Sequence, residues 1–200
     1  MKFLLLAVCL LAANLSFPQI YRAGETTPAG SYSRWEVAAG WNASTGEVAL
    51  KQGSTSSDGA HGFYGRALYS FWRSFSIGAE GSLFFSQSLA PVVDKYKATR
   101  AGVLLKYLAT PNTNPRVYLL AGAGATFHQF HFKPAYRGPD HTRRIAYLAA
   151  GAGIEINVWE NVFAALEGRV LYNTQRNLNF YYGLSKQWES EGKLLIGLHF

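Results

Sequence analysis

Eight segments, most of them about ten to fourteen residues long, alternate apolar and polar side chains from Ser33 to Phe200. A period of two puts successive side chains on opposite faces, which suits a β-strand with two unlike faces and no helix. The segments run from Ser33 to Asn42, Gly62 to Trp72, Phe75 to Phe85, Thr99 to Ala109, Val117 to Phe130, Arg143 to Val158, Val162 to Asn173 and Gln187 to Phe200. Their connections alternate as well. Long polar loops follow the odd segments: Ala43 to Ala60, Ser86 to Lys97, His131 to His141 and Thr174 to Lys186. Short turns follow the even ones: Arg73-Ser74, Thr110 to Arg116 with Pro111 and Pro115, and Trp159-Glu160-Asn161. The loop from Ser86 to Lys97, or the arm before Tyr32, has room for one further short strand.

The two faces differ in kind. One carries residues such as Val37, Ile77, Leu83, Val103, Leu105, Leu119, Leu148, Ile154, Leu166, Leu194 and Ile196. The other carries Gly102, Gly122, Gly124, Gly151, Gly153 and Gly197 among charges of both signs. Those charges are Glu36, Glu80, Glu155, Glu167 and Glu191 beside Arg34, Arg66, Arg100, Lys106, Arg169 and Lys193. A soluble barrel, such as a lipocalin-like carrier, turns its apolar face inward, whereas a membrane barrel turns it out to lipid. Glycines suit a crowded, narrow lumen better than a wet surface. Charges of both signs are tolerated in such a lumen when they are paired and hydrogen-bonded. Aromatics near the segment ends (Trp35, Trp41, Tyr69, Phe71, Phe85, Tyr107, Phe127, Tyr172, Phe200) fall where two interfacial girdles would lie. The fold expected is all-β: an eight-stranded antiparallel up-and-down transmembrane β-barrel. Its interior charge network is expected to comprise Glu36, Arg66, Glu80, Lys106, Glu155, Glu167, Arg169 and Lys193.

The chain begins with Lys2 and an apolar run from Phe3 to Ala13. The run is too short to cross a bilayer as a helix, and it fits an export signal. Residues 1–16 are therefore expected to be a signal peptide, 17–32 an irregular arm rich in Pro and Gly, and 33–200 the barrel. The single cysteine, Cys9, lies in the signal, so no disulfide or thiolate metal chemistry is expected of the exported chain. Val8 precedes Cys9 and the apolar run continues beyond it, which argues against lipidation. The formal net charge is +7. Export removes nucleic acid as the acidic partner and leaves the phosphates of lipid head groups and surface glycolipid.

The tail Leu194, Ile196, Leu198, Phe200 resembles the C-terminal signal of outer-membrane barrels, which the assembly machinery reads. With the signal peptide and the eight segments, the chain is similar to the small OmpA/OmpX-like outer-membrane β-barrel superfamily over residues 33–200. That resemblance implies the bacterial outer membrane, with both termini periplasmic. The partners it implies are outer-membrane lipid, lipopolysaccharide and the assembly machinery, for a monomer. It is silent on activity, because one such fold hosts several functions.

No catalytic, cofactor or metal site is expected. The lipid A deacylase family resembles the chain in size and architecture, and its members carry a His-x-Ser pair on a late strand. None of His128, His131, His141 and His199 has Ser two residues on. His128, His131 and His141 lack the convergent supporting shell that a metal site needs. Gly122-Ala123-Gly124 and Gly151-Ala152-Gly153 lie inside strands, with no helix to follow, so they cradle no phosphate. A basic excess marks the long loops and strand tops: Lys51, Lys95, Lys97, Arg100, Lys133, Arg137, Arg143, Arg144, Arg176 and Lys186. Of these, Lys133, Arg137, Arg143 and Arg144 are the expected glycolipid-phosphate contacts. Tyr136 and the Phe180-Tyr181-Tyr182 cluster would add contact area for a partner. The favoured role is a non-enzymatic structural, surface-interaction or adhesin-like one. A narrow channel, a lipid A-modifying enzyme and a secreted carrier are the alternatives.

Overall fold

The computed structural model describes residues 34–51, 59–89, 92–136, 140–179 and 181–200. The expected signal peptide and arm, together with Arg137 and Phe180, lie outside the described residues. The strands are β1 (Trp35–Ser44), β2 (Val48–Leu50), β3 (Ala60–Trp72), β4 (Phe75–Phe84), β5 (Gln87–Leu89), β6 (Val93–Leu108), β7 (Arg116–Phe132), β8 (His141–Asn157), β9 (Val162–Asn173), β10 (Tyr182–Leu184) and β11 (Trp188–His199).

Eight long strands form one ring in the order β1-β3-β4-β6-β7-β8-β9-β11, with every pair antiparallel. β11 closes on β1 from Glu36↔His199 to Ser44↔Glu191. At the seam the Trp35 amide donates to the Phe200 carbonyl (2.8 Å), and the Phe200 amide donates back (3.0 Å). A closed ring leaves no edge amide unpaired, which hydrocarbon surroundings require. The short turns are tight for local reasons. Val158 and Trp159 both donate to the Val162 carbonyl, and the Thr110 hydroxyl accepts the Val117 amide at 2.7 Å.

The faces are inverted relative to a soluble barrel. Leu105, Ile154 and Leu166 are 38%, 47% and 62% exposed, whereas Glu80, Lys106 and Glu167 are 8%, 1% and 2% exposed. Apolar side chains cover the outer wall and charges fill the lumen, so the wall is built to face lipid. Aromatic clusters mark both rims of the apolar band. At the long-loop end Trp41 packs on His61, Phe63 and Phe85. At the short-turn end Trp35 meets Tyr69, and Phe75 meets Phe71 and Tyr107.

Inside, large residues sit across from glycines. Tyr118 lies opposite Gly153, Tyr147 opposite Gly124, and Phe163 opposite Gly197. A methyl on Gly153 or Gly197 would collide with the facing ring, and one on Gly124 with the Ala101 carbonyl and the Tyr147 hydroxyl. The glycines therefore make room for inward rings that a narrow eight-stranded barrel could not otherwise hold. The interior is also greasier than the sequence pattern suggests. Leu68, Leu104, Tyr118, Phe163 and Leu195 are buried together between the charges.

The long loops differ from their expected form. β7 runs on through His131 and Phe132, β8 begins at His141, and β6 begins at Val93, while β5 is the further short strand for which Ser86 to Lys97 had room. β2 and β10, drawn from the first and last long loops, pair as a small separate sheet with Gly183 opposite Ala49. Val48 of β2 and Tyr182 and Leu184 of β10 join an apolar cluster with Phe84, Leu89, Val93, Tyr96, Phe130, Ile145 and Leu178. Apolar residues in loops of mainly polar composition thus cap the mouth.

Candidate functional site

Alternate residues of eight strands point inward, so strand register alone decides which charges meet in the lumen. Near the short-turn end the Lys106 ammonium, on β6, bridges Glu36 of β1 and Glu155 of β8 at 2.6 Å each. Glu36 also receives Arg66 Nε at 2.6 Å. Glu155 receives Arg116 and His199 Nε2, the latter at 2.9 Å. The oxygens of Glu36 and Glu155 and a ring nitrogen of His199 lie close enough to hold a cation. Lys106 already supplies that charge between the two carboxylates, so the trio is satisfied without a metal.

In the middle, Glu167 accepts from both Arg66 and Arg169, the latter at 2.9 Å, and from the Tyr118 hydroxyl at 2.9 Å. Glu80 accepts from Arg169, from Tyr64 at 2.7 Å and from Tyr147 at 3.2 Å. Towards the long loops, Lys193 pairs with Glu191 at 2.8 Å and lies 4.2 Å from the centre of the Tyr64 ring. Arg100 pairs with Glu191 and Glu189, and Asn173 donates to Glu189 at 2.6 Å. Every carboxylate in this column has a cationic partner, which buried charge requires. Arg–carboxylate and Lys–carboxylate contacts of this kind are the stronger class of hydrogen bond.

The structure places all eight expected interior residues in the lumen and pairs each of them. It adds Arg100, Arg116, Glu189, Glu191 and His199, with the tyrosines Tyr64, Tyr118 and Tyr147 as hydroxyl donors. Parity could have found Arg116 and Glu189, since each stands two residues from an inward-facing Tyr118 or Glu191. Arg34, expected on the same face, is exposed at the short-turn end. Arg100, expected on the basic rim as well, is buried.

The other expected residues are dispersed. Leu194, Ile196 and Leu198 of the C-terminal motif are exposed on the outer wall, and Phe200 is half-buried. Of the expected phosphate contacts, Lys133 is half-buried just beyond β7. Arg143 is exposed above the mouth and reaches Gln175 at 3.3 Å. Arg144 faces outward on the wall, its guanidinium 5.9 Å from the centre of the Phe127 ring. Arg176 is tied to the Leu184 carbonyl at 2.9 Å. Of the aromatic cluster, Tyr182 is wholly buried under the cap and Tyr181 is exposed.

The fold is similar to that of neisserial surface protein A, NspA (TM-score 0.64, 15% identity, covering 85% of this chain and 99% of that one). It is also similar to Ail, the attachment invasion locus protein of Yersinia pestis, in complex with the heparin analogue sucrose octasulfate (TM-score 0.57, 17% identity, 85% and 100%). A third likeness is to OprG, an outer-membrane protein of Pseudomonas aeruginosa (TM-score 0.52, 11% identity, 84% and 97%). No curated relative matches the sequence. At these identities the likenesses speak for the fold alone. The sequence matches the outer membrane protein beta-barrel domain over residues 3–187. With an eight-stranded closed ring, a lipid-facing apolar wall and a charged lumen, the chain belongs to that family and is a small β-barrel of the bacterial outer membrane.

Proposed function

We propose that this barrel is a non-conducting scaffold of the outer membrane whose work is surface interaction at its long-loop end. The observation that carries this reading is the column of paired charges that fills the lumen beneath the apolar cap. Buried ions locked to one another on facing strands leave no water-filled path of the kind a porin uses. In this reading the short turns face the periplasm, as in other outer-membrane barrels. Arg34 and Phe200, at the short-turn end, then place the described ends of the chain on the periplasmic side. Outer-membrane lipid, lipopolysaccharide among it, surrounds a monomer, and the assembly machinery reads the Leu194–Phe200 motif.

In this reading the histidine contacts are structural: His128 bonds Tyr96, His131 bonds Asp140, and His199 bonds Glu155 and Arg116. Ail is named for attachment and invasion, which agrees with an adhesive use of this architecture. Planar-bilayer recordings test the proposal. The purified protein is expected to give no stable openings, and reproducible, ion-selective steps from the unaltered chain would overturn it.

A further inference from the structure

We propose that the apolar cap over the mouth is a pH-sensitive lid, held shut at neutral pH and released as the outer medium turns acid, with His128 of β7 as its sensor. The inference concerns the regulation of the loop-end surface proposed above and takes its purpose from that reading. His128 faces inward between Ala98 of β6 and Arg143 of β8. The next outward row towards the loops, Lys97, Gln129 and Thr142, is polar, so this level lies in the mouth, beyond the apolar band. The histidine is 4% exposed. Its Nδ1 shares a hydrogen bond of 2.7 Å with the Tyr96 hydroxyl, and its Nε2 is buried with no hydrogen-bond partner among the described residues.

A neutral imidazole tolerates one unmet ring nitrogen at modest cost. An imidazolium would add a charged N–H with nothing to receive it, and burial penalises an unpaired ion far more than an unpaired dipole. The surroundings raise that penalty. Arg100 of β6 lines the same pocket as His128, and Arg143 stands directly opposite it. Glu189 of β11 is the one acid among the described residues of the pocket wall. It already accepts from Arg100 at 3.0 Å, Asn173 at 2.6 Å and Ser44 at 3.2 Å. β1, β2, β3, β4 and β10 contribute only uncharged side chains to the wall. The space itself is about 20 Å³, room for a single water and not for a hydrated anion. Burial first, and then the Arg100 guanidinium, hold the imidazole pKa down to about 3 from its ordinary 6.5.

Two side chains of that wall, Val48 and Leu184, come from β2 and β10, the cap's own small sheet. Lifting that sheet admits solvent to His128 and returns the imidazole to its ordinary pKa. The open cap therefore binds a proton that the shut cap refuses. The shut form keeps its full advantage above about pH 6.5. It loses about tenfold against the open form per pH unit as the pH falls from there towards 3. Lifting also parts Tyr182 from Phe130, whose ring centres lie 5.7 Å apart. Acid thus exchanges a shut mouth for one that presents the apolar side chains of the cluster.

Hydrogen exchange of the purified full chain in lipid nanodiscs, corrected for the pH dependence of the amide chemistry, tests the lid. The reporters are the amides of Lys51, Leu184 and Ser185, which donate to the Tyr181, Arg176 and Glu47 carbonyls. Their protection is expected to fall about tenfold per pH unit between roughly pH 6 and 4.5, while barrel amides keep theirs. His128→Gln stays uncharged throughout and should flatten that slope. His131→Gln, at an exposed histidine, should leave it unchanged. Cap protection that does not vary with pH in the unaltered chain overturns the proposal, and so does a slope that survives in His128→Gln. The imidazole NMR signal of the unaltered chain gives a reading that needs no variant: His128 should titrate together with the cap amides. Its titration near pH 6.5 beneath a still protected cap overturns the proposal too. Heat-modifiable gel mobility confirms that each variant is a folded barrel. Exchange at the cap and planar-bilayer current are separate readouts, so failure of the lid and failure of the non-conducting reading are told apart.

Discussion

The lumen towards the short turns and its mouth at the long-loop end solve the same problem, filling a narrow tube, with opposite chemistry. Towards the short turns, Lys106 with Glu36 and Glu155, and Arg66 with Glu167, are locked side chain to side chain across strands that lie apart in the ring, with Arg169 joined to Glu167 on the same strand. At the long-loop end, Phe130 and Leu178 pack with Tyr182 and Leu184 of β10 as an apolar core. The network is held by strands whose register is fixed by the whole ring. The cap is held by loops whose pairing depends on a few contacts of its own. The network should therefore share the barrel's cooperativity, while the cap opens as a local unit.

The strongest challenge to this contrast is Glu167→Ala. It removes the acceptor that Arg66, Arg169 and the Tyr118 hydroxyl share, leaving Arg66 only Glu36, which Lys106 also uses, and Arg169 only Glu80, so the lumen keeps an uncompensated positive charge and the barrel should lose about 3–5 kcal/mol of stability. The check is urea unfolding in detergent micelles followed by gel mobility; a loss under about 1 kcal/mol would show that water or neighbours replace the carboxylate. Next in size is Leu184→Ala in the cap, expected to cost about 2–3 kcal/mol. That loss should appear as faster proteolysis of the loops around β2 and β10, with the barrel's unfolding midpoint unmoved. An equal fall in the midpoint would mean that cap and barrel melt as one body. Lys106→Met should cost least, about 1–2 kcal/mol. Glu36 still has Arg66, and Glu155 still has Arg116 and His199. A penalty as large as that of Glu167→Ala would show that this redundancy is only apparent.

The same contrast explains what could be read before any coordinates. The lower network was legible because period-2 parity is rigid: once Glu167 and Arg169 share a face, so do Glu155 and Gly153 on the paired strand. The eight strands followed from the same alternation. The cap was not legible. Leu178 and Leu184 stand singly among Ser, Asn, Gly and Tyr, and Val48 opens a run of only three apolar residues, Val48-Ala49-Leu50, with no period to mark any of them. Their burial comes from pairing loops that lie more than 130 residues apart (Ala49 with Gly183), which no local pattern records. Inward leucines such as Leu68, Leu104 and Leu195 were missed for a different reason. They occupy polar-face positions, and the expectation of a charged lumen obscured the need for bulk between the ion pairs.

The seam between β1 and β11 has a consequence for how such a molecule comes into being. Glu36 on the first stave is neutralised by Lys106 on β6, and Arg66 on β3 by Glu167 on β9. A half-curled sheet would present naked carboxylates and guanidinium groups, along with two fringes of bare amides, to oil. Zipping the last stave to the first removes both liabilities at a stroke. The shape is therefore all-or-nothing, because a partly built tube costs more in hydrocarbon than either the loose chain in water or the finished cylinder.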